Sequence, residues 1–138
     1  MWWIFALLSA LFAALTAIFA KVGIRNVNTD LATAIRTVII ALLAWGIVLF
    51  GRHTSGISHL TKQNWLFLIL SGIATGLSWI FYFKALQMGK VSQVAPVDKL
   101  SVALAILLSV LFLHEQLTWK TALGALLIIA GTMVLVLE

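Results

Sequence analysis

The stretch Val91-Ser-Gln-Val-Ala-Pro-Val-Asp-Lys-Leu-Ser101, which continues into the apolar residues Val102 to Leu113, decides how this chain folds. A segment of this length and apolarity is fit to cross a bilayer as a helix. Its first half nevertheless contains Pro96 and an adjacent acid and base, Asp98 and Lys99. Because a charged side chain costs about 3 kcal/mol at the centre of a membrane helix, such residues usually face other protein or a water-filled cavity. Asp98 and Lys99 are therefore candidates for a functional site, and Pro96 is a candidate for a functional bend in the helix.

The composition of the chain sets its class. It has 138 residues, of which 63% are hydrophobic and 9% are charged, whereas soluble domains carry about 25% charged residues. We predict an integral membrane protein with a single domain over residues 1–138. The formal net charge of +5 comes from scattered basic residues, so we expect membrane lipid and no nucleic acid as a partner. The absence of cysteine excludes disulfides and thiolate metal sites.

Apolar runs separated by polar connections predict an all-α fold with five transmembrane helices. We place these helices approximately at residues 2–20, 31–50, 65–83, 92–113 and 120–137. The odd number puts the two termini on opposite sides of the membrane. Asn28-Thr29-Asp30 offers N-cap chemistry for the second helix. The first helix lacks the basic start and the cleavage site of a secretory signal, so we expect it to be retained.

The start of the fourth helix determines what Asp98 does, and two starts are compatible with the sequence. If the helix begins near Ser92, Asp98 lies about 9 Å inside it and needs a partner, for which Arg36 in the second helix is the candidate. If the helix begins at Ala95, Pro96 occupies the first helical position that proline favours. Asp98 then meets the positive end of the helix dipole, and Lys99 extends to the interface.

Two further groups of residues have both a functional and a structural interpretation. Arg36 either pairs inside the membrane or extends its guanidinium to the nearer interface. Trp79 and Tyr82, three residues apart, share a helix face that could stack on an aromatic or cationic ligand, or they belong to an interfacial aromatic belt. Gly72 and Gly76 form a GxxxG pattern that permits close helix packing.

No enzyme motif is present in the sequence. His114-Glu115 resembles the start of the HExxH zinc motif, but Thr118 stands where its second histidine would be. His53 and His59 lie in a polar loop without a third metal ligand nearby. We therefore expect both histidines to be solvated rather than bound to a metal. We therefore expect no catalytic residues, no metal site and no cofactor.

The basic residues of the loops are nearly balanced between the two sides of the membrane. Arg52, Lys62 and Lys120 lie on the side of the N-terminus, and Lys21, Arg25, Lys84 and Lys90 lie on the opposite side. Because the Lys/Arg bias sets orientation, this chain specifies its topology weakly. Either the chain inserts in both orientations, so that two copies pair as an antiparallel homodimer, or it has one fixed orientation.

Four weak motifs in a specific order resemble the EamA domain of the drug/metabolite transporter superfamily. They are Tyr82-Phe-Lys-Ala85-Leu86-Gln-Met-Gly89, Val94-Ala95-Pro96, Leu111-Phe-Leu-His-Glu115-Gln-Leu117 and Gly124-Ala-Leu-Leu-Ile-Ile-Ala-Gly131, and Leu31-Ala-Thr-Ala-Ile-Arg36 also fits the opening of that domain. The resemblance covers essentially the whole chain. Because family members commonly carry two such domains, it implies that a second copy or a paralogue completes the transporter.

The last helix is also similar to that of the small multidrug resistance proteins of the same superfamily, which pairs through a glycine heptad. Gly124 and Gly131 have the spacing of that heptad and give a small-residue seam for another helix. The proton-coupling glutamate of those proteins has no counterpart in the first helix here. Asp98 is the membrane-depth carboxylate left for such a role.

These observations predict a dimeric transporter that moves a small metabolite or drug-like solute by alternating access, with or without proton coupling. Its expected location is the inner or plasma membrane of a prokaryote. The candidate cavity wall combines a polar patch, Arg36, Asp98 and Lys99, with the aromatic pair Trp79 and Tyr82. Two alternatives are a flippase for a lipid headgroup and a membrane subunit that scaffolds a partner.

Overall fold

The structure is a computed structural model in which residues 1–137 are described, and this part of the chain is helical without a strand. The elements are helices and one 3₁₀ segment: α1 Trp2–Gly23, α2 Thr29–Phe50, a 3₁₀ helix His53–His59, α3 Lys62–Met88, α4 Val91–Asp98, α5 Leu100–Phe112 and α6 Trp119–Val136. Because α4 and α5 together form one apolar stretch, Val91–Phe112, residues 1–137 contain five helical segments long and apolar enough to cross a membrane. The predicted all-α fold with five transmembrane helices is confirmed.

Three of the helices extend beyond the predicted boundaries. Helix α1 ends at Gly23 rather than at residue 20, α2 begins at Thr29 rather than at residue 31, and α3 covers Lys62–Met88 rather than residues 65–83. The prediction ended helices at charged residues such as Lys21 and Lys84. A lysine at the end of a membrane helix can keep its backbone helical while its long side chain reaches toward the interface. The charge therefore marks the edge of the apolar layer and not the end of the helix.

The described residues group into two compact units. One contains Met1–Phe19 together with the chain from Met88 onward, and the other contains Ala20–Gln87. In the second unit, the buried apolar residues are Ala20, Ile24, Phe83 and Leu86. Most other apolar side chains of the spans are exposed within the chain, which is the expected state of helices whose solvent is lipid.

The connection before α2 ends in the predicted N-cap of that helix, Asn28. The side chain of Asn28 accepts hydrogen bonds from the backbone N–H groups of Asp30 and Leu31, at 2.8 and 3.1 Å. The cap satisfies two donors at the helix start that otherwise have no intrahelical partner. Asp30 in the first turn also matches the positive end of the helix dipole. The first residue of α2, and with it the number of helical residues before Arg36, is thus set by the local sequence.

The fourth span begins at Val91, so of the two possible starts the structure has the earlier one. Pro96 is the sixth residue of α4 and not its first, and Asp98 is the last. Because proline has no N–H, the carbonyl of Ser92 loses its usual helical donor. The regular helix stops at Lys99, whose N–H bonds to the carbonyls of Ala95 and Pro96 at 3.3 and 3.0 Å. The span then resumes as α5.

The last helix contacts the proline segment directly. The buried hydroxyl of Thr132 on α6 donates a hydrogen bond to the backbone carbonyl of Pro96 at 3.2 Å. Such interhelical bonds are worth about 1 kcal/mol in membrane proteins. The interruption in the fourth span is therefore held by a contact with α6 as well as by the proline.

Candidate functional site

Arg36 is the charged residue that lies deepest in α2. It is the eighth residue of a helix that begins at Thr29, which places its Cα about 10 Å along the axis at 1.5 Å per residue. Its side chain is half-buried. A charge at this depth needs a partner in the protein or a path back to water.

The guanidinium of Arg36 rests on two aromatic rings of α3. Its central carbon lies 4.3 Å from the ring centroid of Phe83 and 5.5 Å from that of Trp79. The two aromatic residues are four apart and therefore share one face of the helix. Both distances are within the roughly 6 Å over which a cation interacts with an aromatic face. Arg36 thus has an aromatic partner within the membrane-spanning part of the chain.

One nitrogen of this guanidinium lacks a hydrogen bond. Nη1 of Arg36 is buried and has no hydrogen-bond partner among the described residues. A buried donor without an acceptor costs about 1–3 kcal/mol, and more when the group is charged. An anionic acceptor would remove this cost. The face formed by Arg36, Phe83 and Trp79, called the arginine–aromatic cluster below, therefore has the chemistry of an anion site with an apolar floor.

Tyr82 lies beside this cluster. Its ring centroid is 5.8 Å from that of Phe83, with the ring planes tilted by 53°. The predicted aromatic pair, Trp79 and Tyr82, is therefore found near Arg36. The cation that Trp79 faces in this structure is Arg36 of the same chain. Stacking on a ligand and membership in an interfacial belt both stay predictions for this pair.

Phe83 is the residue of the cluster that sequence reasoning missed. It lies closer to the guanidinium than Trp79 and is 1% exposed, so it is the main contact of Arg36. The signal was present in the spacing, since Phe83 follows Trp79 by one helical turn. The spacing did not single out Phe83, because the segment from Trp79 to Phe83 is rich in aromatic residues and each ring is a candidate for an interfacial belt.

A second contact joins α2 and α3 nearer the start of α2. Lys84 Nζ lies 3.7 Å from a carboxylate oxygen of Asp30, and both side chains are more than half exposed. An exposed pair of this kind contributes between zero and about 1 kcal/mol. Sequence reasoning assigned both residues to the membrane boundary and did not pair them. Their pairing supports the register in which Arg36 meets Phe83.

Asp98 and Lys99 form an ion pair with each other. Lys99 Nζ donates to Oδ2 of Asp98 at 3.2 Å, and the aspartate side chain is one-third exposed. The pair sits where the fourth span is interrupted, so an acid and a base are presented at a break in the helix. Asp98 belongs to the first unit and Arg36 to the second. The predicted pairing of Arg36 with Asp98 stays a prediction.

The predicted packing glycines face open space within the chain. A methyl group added at Gly72, Gly76, Gly124 or Gly131 would meet no atom of the described residues within 4 Å. The close approach that such glycines allow is therefore not used by helices of the described chain. Their role in contacts with another helix stays a prediction.

The five apolar helices define an integral membrane protein, and the arginine–aromatic cluster gives it a polar group within a span. The chain matches the model of the EamA-like transporter family over residues 1–137, and it belongs to that family. The resemblance found in the sequence motifs is thereby confirmed.

Two relatives are similar to the chain, and the name of the first is that of a transporter. The chain is 48% identical over 134 residues to an uncharacterized transporter encoded in the cobO 3' region of Sinorhizobium sp, with 97% of this chain and 95% of the relative covered. It is 35% identical over 77 residues to an uncharacterized protein of Methanocaldococcus jannaschii, with 55% of this chain and 56% of that protein covered. No solved structure matches the chain.

The contact between Arg36 and Phe83 predicts an energetic coupling between the two side chains. In a double-mutant cycle with Arg36→Met and Phe83→Leu, we expect a coupling free energy of unfolding of about 0.5–2 kcal/mol. It would be measured by unfolding of the purified chain in mixed detergent micelles. The matched control is Phe81→Leu, which removes a ring that is 67% exposed on the same helix. Additive effects of Arg36→Met and Phe83→Leu would show that the cation and the ring do not interact.

Proposed function

We propose that this chain is one half of a transporter that binds the anionic group of a small organic solute at Arg36. The observation that carries the proposal is the half-buried guanidinium of Arg36, which rests on two aromatic rings and has no hydrogen-bond acceptor for Nη1 among the described residues. A carboxylate or phosphate would accept from the guanidinium, and charge-assisted bonds of this kind are about twice as strong as neutral ones. The apolar part of the solute would lie against Trp79.

The proposed transporter is a dimer in which residues 1–138 form a single domain of each half. Membership in the family supports this arrangement, because the resemblance described above implies two such domains in a complete transporter. The exposure of the spans also supports it, since between 0% and 11% of the residues in the most apolar part of each span are buried within the chain. A second copy or a paralogue would supply the opposite wall of the cavity, and the seam at Gly124 and Gly131 is the candidate contact.

Alternating access follows from this arrangement if the two halves are related by inverted symmetry. Transporters with inverted repeats bind the substrate near the membrane midplane and rock one half against the other. Opposite insertion of two identical chains would produce the same symmetry. The near balance of Lys and Arg between the two sides of the membrane supports it.

Asp98 is the proposed coupling group for protons. Its carboxylate is inside a span, beside Lys99, at the point where the backbone helix is interrupted. Ionisable residues in such positions serve as proton relays in many transporters. The proposed location is the plasma membrane of a prokaryote, which the bacterial origin of the more similar relative supports.

Uptake by proteoliposomes tests both residues in one experiment. With benzoate and aliphatic monocarboxylates as probes, we expect Arg36→Gln to lower uptake at least tenfold, because the neutral amide replaces the cation that binds the anion. Protein-free liposomes also take up these weak acids as the neutral form when the pH differs across the membrane, and their uptake is subtracted. Asp98→Asn should retain protein-dependent exchange of the probe at equal pH and lose the protein-dependent rate of accumulation that a pH difference drives.

The matched control is Arg52→Gln, which removes the same charge from the loop after α2. Uptake by Arg36→Gln equal to that of the unmodified chain, for every monocarboxylate that the unmodified chain transports, would contradict the proposed site. Accumulation by Asp98→Asn equal to that of the unmodified chain would contradict only the coupling role.

The orientation of the chain can be read from a single introduced cysteine, since the chain contains none. Ser55 lies exposed in the 3₁₀ helix after α2. If the dimer is antiparallel, an impermeant maleimide should label Ser55→Cys from both sides of the membrane in comparable amounts. Ser92→Cys, near the start of the fourth span, is the companion site and should give the same result. Labelling of Ser55→Cys from one side alone would rule out opposite insertion.

A further inference from the structure

A cavity that is separate from the arginine–aromatic cluster lies where α1 ends. Its volume is about 530 Å³, within the range of roughly 300–1,000 Å³ that is typical of ligand sites. Its lining residues come from the end of α1, the turn that follows it and the last turn of α3: Lys21, Val22, Ile24, Arg25, Asn26 and Gln87. All of them belong to the second compact unit. Arg36 is not among them.

Side chains hold the turn after α1 against the end of α3. Gln87 Nε2 donates to the carbonyl of Ile24 at 3.1 Å and to that of Val27 at 2.9 Å. Lys21 Nζ donates to the carbonyl of Leu86. Asn26 takes the left-handed conformation, with φ 64°, that lets the chain turn here. The wall of the cavity is therefore built by contacts within the chain and does not need a ligand to form.

The charge of the lining is positive. Lys21 and Arg25 contribute two full charges, and none of the lining residues in the described part of the chain is acidic. The C-terminal ends of α1 and α3 each carry about half a negative charge, which disfavours the binding of an anion. This effect is reduced, because the side-chain N–H groups of Gln87 and Lys21 donate hydrogen bonds to backbone carbonyls at these helix ends. Arg25 is exposed and has no ion pair among residues 1–137, so its guanidinium is accessible to a ligand.

The cavity also lies at an edge of the apolar layer. Lys21 ends the uncharged run of α1, and Val22, one of the lining residues, is 72% exposed beside it. A ligand with a phosphate at the two cations could therefore place an apolar part against the helix surface. Basic pockets at the ends of transmembrane helices bind phospholipid headgroups in this manner. A guanidinium can also hold two phosphate oxygens at once.

We propose that the cavity at Lys21 and Arg25 is a phosphate-binding site for a phosphomonoester or phosphodiester. The phosphate is carried either by the headgroup of an anionic phospholipid or by a soluble organic phosphate. Because its residues are not those of the arginine–aromatic cluster, this site does not depend on the transport function proposed above.

The test measures binding of three compounds to the purified full chain in detergent by native mass spectrometry. The probes are phosphatidylglycerol, phosphatidylcholine and glycerol 3-phosphate. We expect Arg25→Gln to weaken the binding of an anionic phosphate probe about fivefold. This factor corresponds to the binding free energy of about 1 kcal/mol that one basic residue contributes near a membrane surface. Arg25→Lys should restore most of the affinity. Arg52→Gln, which removes an arginine outside the cavity, should leave the affinity unchanged.

The outcomes distinguish the two sources of phosphate. If phosphatidylglycerol binds with this dependence on Arg25 and glycerol 3-phosphate does not compete, the ligand is a lipid headgroup. If glycerol 3-phosphate binds with the same dependence, the ligand is a soluble phosphate. Equal affinities of Arg25→Gln and the unmodified chain for both anionic probes would overturn the proposal, as would equal losses in Arg25→Gln and Arg52→Gln. Elution of each variant at the volume of the unmodified chain in size-exclusion chromatography excludes misfolding.

Discussion

The placement of one positive charge inside a membrane helix is the constraint on which the rest of this structure depends. Inserting an arginine at membrane depth costs several kcal/mol unless the protein supplies partners. Here the partners are the faces of Phe83 and Trp79, which accept the cation without supplying an acceptor for its N–H groups. The guanidinium is thereby held in place while Nη1 stays without a partner among the described residues.

Elements that depend on composition and local chemistry were predictable from the sequence. The apolar runs predicted five membrane helices, and Asn28 predicted the cap of α2 because its hydrogen bonds involve only its own neighbours. The helix ends were less predictable, since charge marks the edge of the apolar layer and not the last helical residue. The resemblance to the family depended on the order of weak motifs over the whole chain, and the family match over residues 1–137 supports it.

Contacts between residues distant in sequence were not predictable. The start of the fourth span at Val91 places Pro96 in the helix interior, and the hydroxyl of Thr132 reaches its carbonyl from 36 positions away. The pairing of Asp30 with Lys84, and the placement of Phe83 beneath Arg36, likewise depend on the register between α2 and α3. Periodicity places residues on the same face of one helix, but it does not specify which faces of two helices meet.

The proposed transport function requires that Arg36 bind the anionic group of the solute. The chain has three arginines, Arg25, Arg36 and Arg52, so their side-chain signals can be separated by nitrogen-15 NMR of arginine-labelled protein and assigned with single Arg→Lys variants. On addition of a monocarboxylate that the chain transports, we expect a shift of the Arg36 guanidinium signals that saturates, with the Arg52 signals unchanged. Saturable binding that leaves the Arg36 signals in place would contradict it.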